Sequence, residues 1–233
     1  MLLAIDTATS ACSIALIDGD RLVDERHELV GRGHAEKLLP MIEALLGGRR
    51  PSALLVDCGP GSFTGVRVGL AAAHGLAIGW QIPLSAYSSL ALMAAGVDGD
   101  EIGIALEGGH GQLFVQSYAR EPLAPSDALA SLPLREAAVR IAAPIVAGNG
   151  AEALVAARGH GVAVAGLPRA SDVRGVLHER EEHRFIAGPH LPQKQGVHHL
   201  RRFHELGQRL PPALRMLEPK PVYGRPPDAK PIE

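Results

Sequence analysis

Residues able to do chemistry gather where apolar runs end. The run Leu54-Leu55-Val56 ends at Asp57-Cys58, and Gly59-Pro60-Gly61-Ser62 follows. Gly59 and Gly61 can adopt backbone angles that other residues avoid. Ser62 suits a helix N-cap, because its hydroxyl accepts from a backbone N–H two or three residues on. A strand, a glycine turn and a helix N-terminus in succession offer an anion free N–H groups and the positive end of a helix dipole. Leu2–Ile5 ends in the same manner at Asp6-Thr7. Asp6, Thr7, Gly59, Gly61 and Ser62 are therefore the candidate phosphate-contacting set, although Asp6 and Thr7 are more simply read as capping a turn. No lysine stands in a phosphate-binding motif, and the Walker pattern is absent. Asp57 has the chemistry of a general base or metal carboxylate, but a structural role at a strand end suits it better.

The other reactive side chains stand apart. Cys12 and Cys58 lack any nucleophile signature. His34 opens a helical stretch with no acidic or cysteine partner close by, and His110 sits in the turn-like Gly108-Gly109-His110-Gly111. Six of the 11 histidines (His178, His183, His190, His198, His199 and His204) fall within residues 175–209. None is paired at i,i+4, the spacing that puts two imidazoles on one helical face for a metal. Arg180, Arg184, Arg201 and Arg202 in the same stretch offer an RNA-phosphate patch, but a solvated surface excursion is the simpler reading.

These residues need elements to position them. Leu2–Ile5 and Leu54–Val56 read as buried strands. Cys12–Ile17 reads as a strand that turns at Asp18-Gly19-Asp20 into an antiparallel third strand, Arg21–Leu29. Leu38, Leu39, Ile42, Leu45 and Leu46 recur at helical spacing within His34–Leu46, and Gly47-Gly48 stops that helix. Phe63–Trp80 is a long apolar helix. Gly65, Gly69, Ala72 and Leu76 share one narrow face of it, with Arg67 and His74 opposite. Gly65 and Gly69 each cost about 1 kcal/mol against alanine, so close packing on another helix is expected to offset them. An extended piece, Pro83–Tyr87, leads to a short helix from Ser88 or Ser89 through Ala95. The pattern then restarts: strand Ile102–Leu106, turn Gly108–Gly111, strand Leu113–Tyr118, helix Pro133–Ala142, strand Pro144–Ala147, Gly148-Asn149-Gly150, helix Ala151–Ala157 and strand Val162–Ala165. A weak helix is expected over Val197–Leu206, and residues 210–233 are proline-rich and extended. Hairpins followed by alternating helices and strands, seen twice, indicate two related α/β lobes, 1–98 and 99–233.

Composition narrows the classes. The chain has 233 residues, 46% hydrophobic but only 3% aromatic, with a formal net charge of −2. Such a balance gives no bulk attraction to nucleic acid. Two cysteines far apart in sequence make no disulfide framework and fit a reducing cytoplasm. The start, MLLAIDTATS, meets Asp6 too early for a signal peptide. No run reaches the roughly 20 apolar residues of a membrane span.

The opening MLLAIDTATSACSIALIDGD, the motif HAEKLLPMI, the run GPGSFTGVRVGLAAAHGLA, the Gly148-Asn149-Gly150 turn and PVYGRPPDAKP near the end resemble the bacterial TsaB (YeaZ) family. The resemblance covers about residues 1–173 and 210–231, with the glycine run as its most specific part. It implies an α/β, actin-like, ribonuclease-H-like (ASKHA) fold of two lobes with mixed sheets flanked by helices. It also implies a non-catalytic subunit that pairs with a TsaD-like catalytic subunit, which transfers threonylcarbamoyl from its adenylate to N6 of adenosine 37 in tRNAs reading codons that begin with A. A TsaE-like ATPase joins the pair, and tRNA is reached through the complex. ATP and metal belong to those partners, so no cofactor and no metal are expected on this chain. The family's pairing surface lies on first-lobe helices, which makes His34, Leu38, Met41, Gly65, Gly69, Ala72, Ala73 and Leu76 the interface candidates. Without its partner, such a face is expected to form a homodimer.

TsaD-like proteins carry a His-x-x-x-His metal pair on the helix after the strand that follows the glycine segment. The corresponding positions here fall near Ser89 and Met93, which do not suit the task. Joining Arg174 to Leu210 would restore a continuous family-like stretch, so residues 175–209 read as an insertion. Two other classes stand beside the subunit reading. An independent actin-like ATP-dependent phosphotransferase would bind nucleotide tightly by itself, and a metallopeptidase would need a metal pair.

Overall fold

The computed structural model describes residues 1–173 and 218–222. The histidine-rich stretch 175–209, with its expected helix Val197–Leu206, and most of the proline-rich segment 210–233 lie outside the described residues.

The first sheet is ordered β3-β2-β1-β4-β5, from β1 (Leu2–Asp6), β2 (Ala11–Asp18), β3 (Arg21–Leu29), β4 (Ala53–Asp57) and β5 (Leu84–Tyr87). Strands β1, β2 and β3 form an antiparallel meander, while β4 and β5 run parallel to β1. The second sheet repeats this plan with β6 (Glu101–Gly109), β7 (Gln112–Ala119), β8 (Ala124–Pro125), β9 (Ala130–Pro133), β10 (Ile145–Ala147) and β11 (Val162–Val164). There β7 pairs antiparallel with β6, and β8 and β9 with β7, while β10 and β11 continue parallel to β6. Two mixed sheets of matching topology, flanked by helices, constitute the actin-like architecture.

Strand alternation divides the side chains among three apolar layers. Leu3, Ile5, Leu54 and Val56 pack under α1 (His34–Leu46) and α2 (Phe63–Trp80). Ala4 and Leu55, one residue out of step, face the central layer with Ile102, Ile104 and Leu106 of β6. Leu90, Ala91 and Leu92 of α3 (Ser89–Ala95) fill that layer. Ala105, Leu113 and Val115 face outward again, under α4 (Leu134–Arg140) and α5 (Ala151–Arg158). Fully burying a Leu such as Leu54 or Leu90 is worth about 1.5–3 kcal/mol.

Some elements differ from the sequence expectation. Helix α4 begins only at Leu134, because Pro133 pairs with Gln112 as the last residue of β9. It ends at Arg140, since Ile141 turns extended and is fully buried. Strands β8 and β9 and the 3-10 turn η1 (Ala170–Asp172) carry no apolar periodicity that would announce them. In η1, Ala170 N donates to Ser13 Oγ at 3.0 Å, returning the chain to β2 after the second sheet.

The largest correction concerns α2. Among the described residues, its glycines Gly65 and Gly69 do not meet another helix. A Cβ at Gly65 would run into the Thr7 carbonyl oxygen, and one at Gly69 into Thr7 Oγ1, so the close neighbour is the end of β1. The helix is only partly buried. Its buried residues are Gly65, Val66, Gly69, Leu70 and Ala73, while Arg67 and His74 are exposed and Ile78 is 77% exposed.

Candidate functional site

Residues at the ends of β1 and β4 do come together, through the parallel pairing of those strands. Asp6 Oδ1 accepts from Ala8 N at 3.2 Å, the turn-capping bond that the sequence suggested. Asp6 Oδ2 lies 3.3 Å from the Tyr87 hydroxyl, which is also 3.3 Å from the Ile5 carbonyl. Asp57 Oδ1 accepts from Gly59 N at 3.2 Å and from Ser89 N at 2.9 Å, so one carboxylate organises both the glycine turn and the start of α3. Both acids are 1% exposed. Burial is the main cause that lifts Asp6 to about 7 and Asp57 well above the ordinary carboxylate range.

The candidate phosphate loop is engaged by its own chain. Ser62 N donates to the Ala8 carbonyl at 2.6 Å, Gly59 N to Asp57, and Gly65 N to Ser62 Oγ at 3.2 Å. Ser62 thus caps α2 as its sequence position implies. Thr7 Oγ1 donates to the Gly65 carbonyl at 2.8 Å. A Cβ on Gly61 would collide with Ala8, and one on Gly59 would lie 3.0 Å from the Val222 carbonyl. The glycines therefore admit neighbouring backbone. Residues 218–222 cross this loop, with Val222 N donating to the Cys58 carbonyl at 2.7 Å and His74 Nε2 3.0 Å from the Pro219 carbonyl. Nothing in the sequence placed this segment there, since a single backbone bond leaves no side-chain signal.

The proposed interface residues separate by burial. His34, Leu38, Met41, Gly65, Gly69 and Ala73 lie in the chain's own interior, and only Ala72 and Leu76 are half-buried. His34 Nε2 is 3.2 Å from the Ala11 carbonyl, a structural bond between α1 and β2. Sequence reasoning missed the outward apolar residues of the same helices. Leu39 is 52%, Phe63 48% and Ile78 77% exposed, and the Arg67 guanidinium stacks 3.6 Å above the Phe63 ring. Their signal was present in the breadth of the apolar stripe, which exceeds the one face a core helix needs.

The two thiols are buried and free. Burial, with nearby carboxylates assisting, pushes Cys12 up to about 11 and Cys58 up to about 12, far from nucleophilic thiolates. His110 takes φ 53° in the β6–β7 turn. In the Gly148-Asn149-Gly150 turn, Asn149 Oδ1 accepts from Glu107 N at 2.9 Å, and a Cβ on Gly148 would strike the Ala105 carbonyl. That motif lets the turn pass over β6. Among the described residues no three His, Cys, Asp or Glu side chains converge as metal ligands, and no helix is long and apolar enough to cross a membrane.

A family model described as TsaD, tRNA N6-adenosine threonylcarbamoyltransferase, matches residues 27–130. The Escherichia coli K12 protein named tRNA threonylcarbamoyladenosine biosynthesis protein TsaB is 39% identical over 129 residues, 52% of this chain and 55% of that protein. The alignment thus spans about half the length of that curated relative. Among solved structures, YeaZ from Pseudomonas aeruginosa is 30% identical with a TM-score of 0.62, over 78% of this chain and 93% of that one. A second Pseudomonas aeruginosa structure, described as an uncharacterized protein with similarity to peptidase YEAZ, is 26% identical with a TM-score of 0.67, over 96% and 99% of the two chains.

Proposed function

Because the chain belongs to the TsaB (YeaZ) family, we propose that it is a non-catalytic subunit of the apparatus that makes threonylcarbamoyladenosine in tRNA. The carrying observation is the 39% identity over 129 residues with the Escherichia coli protein named tRNA threonylcarbamoyladenosine biosynthesis protein TsaB. On this reading the chain docks on a TsaD-like catalytic subunit through the outward sides of α1 and α2. Leu39, Phe63 and Ile78 form the contact, with Ala72 and Leu76 at its edge. The TsaD-like partner transfers threonylcarbamoyl from the adenylate to N6 of adenosine 37, a TsaE-like ATPase supports turnover, and ATP and metal reside on those partners.

The strand-end geometry supports a scaffold role. Asp6 and Asp57 hold the backbone of the β1 and β4 turns, and the glycine-loop N–H groups of Gly59, Ser62 and Gly65 donate within the chain. These groups stiffen the platform from which α2 projects.

The test is co-purification with the same cell's TsaD-like protein. The variant Leu39→Asp/Ile78→Asp should lose the complex, while Val139→Asp, on exposed α4 of the other sheet, should keep it. Gly69 substitutions are poor probes, because any side chain there meets Thr7. Retention of the complex by the double variant would overturn the docking face. Absence of any complex, with tight ATP binding by the isolated chain, would favour the independent phosphotransferase.

A further inference from the structure

Asp6 and Asp57 end adjacent parallel strands and take part in no ion pair among the described residues. Three of their four carboxyl oxygens receive a donor: Asp6 Oδ1 from Ala8 N, Asp6 Oδ2 from Tyr87, and Asp57 Oδ1 from Gly59 N and Ser89 N. The fourth, Asp57 Oδ2, is buried with no partner, and so is Ser89 Oγ at the first turn of α3. A buried charge without a donor is costly, and two carboxylates side by side in a dry site oppose each other's ionisation. A divalent cation is a poor remedy, because it takes about six oxygen ligands and only one carboxyl oxygen and one hydroxyl are unengaged. A proton on Asp57 Oδ2, the one oxygen of the four with no donor, relieves that buried charge.

We propose that Asp6 and Asp57 hold one proton between them, lodged on Asp57 Oδ2, and that this neutral acid latches α3 to the first sheet. The latch lies between the two sheets. Helix α3 fills the central layer that both share, and η1 returns from the second sheet to bond Ser13 of β2. The titratable groups that face it come from every surrounding element. Tyr87 stands on β5 and Asp172 on η1, with Arg169, Glu25 and His27 bearing on Asp172. Cys12 on β2 feels Asp6, and Cys58 feels Asp57. Burial first, and then the Asp6 charge, holds Asp57 well above its ordinary range, against the pull of the Gly59 and Ser89 N–H groups and the nearby Ser89 hydroxyl.

Losing the proton leaves two unpaired charges buried side by side, and the sign follows from linkage. In the unfolded chain these carboxyls titrate near pH 4, whereas burial lifts Asp6 to about 7 and Asp57 well above the ordinary range. Above about 7, Asp6 is ionised and Asp57 keeps the remaining proton; unfolding releases it, so the folding constant falls about tenfold per pH unit there. The experiment is isotope-edited infrared spectroscopy of the full chain with labelled aspartate, alongside unfolding at graded pH. The carbonyl stretch of a protonated carboxyl group should persist in the wild type at neutral pH. Above about pH 7 it should be lost in Asp57→Asn, where only Asp6 remains, together with about one proton of pH dependence in stability, and it should survive in Asp6→Asn. Absence of the band in the wild type above about pH 5 would overturn the proposal without need of any variant. An undiminished band in Asp57→Asn above about pH 7, or its loss in a folded Asp6→Asn, would overturn the location.

Discussion

Thr7 Oγ1 donates to the Gly65 carbonyl at 2.8 Å, and the Thr7 carbonyl occupies the space in which a Gly65 side chain would begin. The end of β1 is thereby clamped into the first turn of α2, a contact between residues 58 apart in sequence. Gly65→Ala should be destabilising, because the obstacle is backbone and cannot swing aside. Overpacking of about 1–3 kcal/mol outweighs the roughly 1 kcal/mol gain in helix propensity. At Gly75, in the same helix, a Cβ would meet no atom within 4 Å. Gly75→Ala should raise stability by about 0.5–1 kcal/mol. Urea unfolding midpoints of the two variants check both signs.

The exposed apolar side of α1 and α2 should drive self-association of the isolated chain. Light scattering over a dilution series should report a dimer that dissociates on dilution, and Ile78→Asp should remain monomeric. A monomer at every concentration in the wild type would contradict the expectation. The substitution itself should change stability by no more than about 0.5 kcal/mol, as for other exposed sites.

Thiol reactivity should be low in the folded chain. Cys12 and Cys58 are buried, with thiols lifted to about 11 and about 12. A thiol reagent at mildly alkaline pH should label neither rapidly before unfolding and both after it. Val222→Pro removes the N–H that bonds the Cys58 carbonyl. It should cost about 0.5–1.5 kcal/mol and selectively speed labelling of Cys58.

Removing the Tyr87 hydroxyl should make stability more sensitive to alkali. That hydroxyl favours the ionised form of Asp6, so Tyr87→Phe raises the folded Asp6 pKa further above about 7. A group raised in the folded state stabilises most below its unfolded pKa and loses that contribution as pH rises. The variant should therefore stand close to the wild type near pH 5 and fall behind by about 1–3 kcal/mol at alkaline pH. A constant difference across that range would contradict the assignment.

Much of this arrangement was legible in the residues themselves. Leu2–Ile5 and Leu54–Val56 announced buried strands by apolar run and terminal Asp, Gly19 marked the hairpin, and Ser62 after Gly59-Pro60-Gly61 marked the start of α2. These signals are local, set by backbone sterics, capping and side-chain period, so they survive without knowledge of the partners. The small face of α2 was equally visible at Gly65 and Gly69. Its neighbour was not, because periodicity reports that something approaches closely but not whether it is a helix or the Thr7 end of a strand. Likewise, the breadth of the apolar stripe did not say which residues α1 and α2 turn inward. Only the fold put Leu38 and Met41 in the core and left Leu39 and Ile78 outside. It also brought Asp6 beside Asp57, Ser89 onto Asp57 and Val222 onto Cys58. Parallel pairing and chain return make neighbours of residues far apart in sequence by backbone bonding and shared burial, and neither leaves a mark on local sequence.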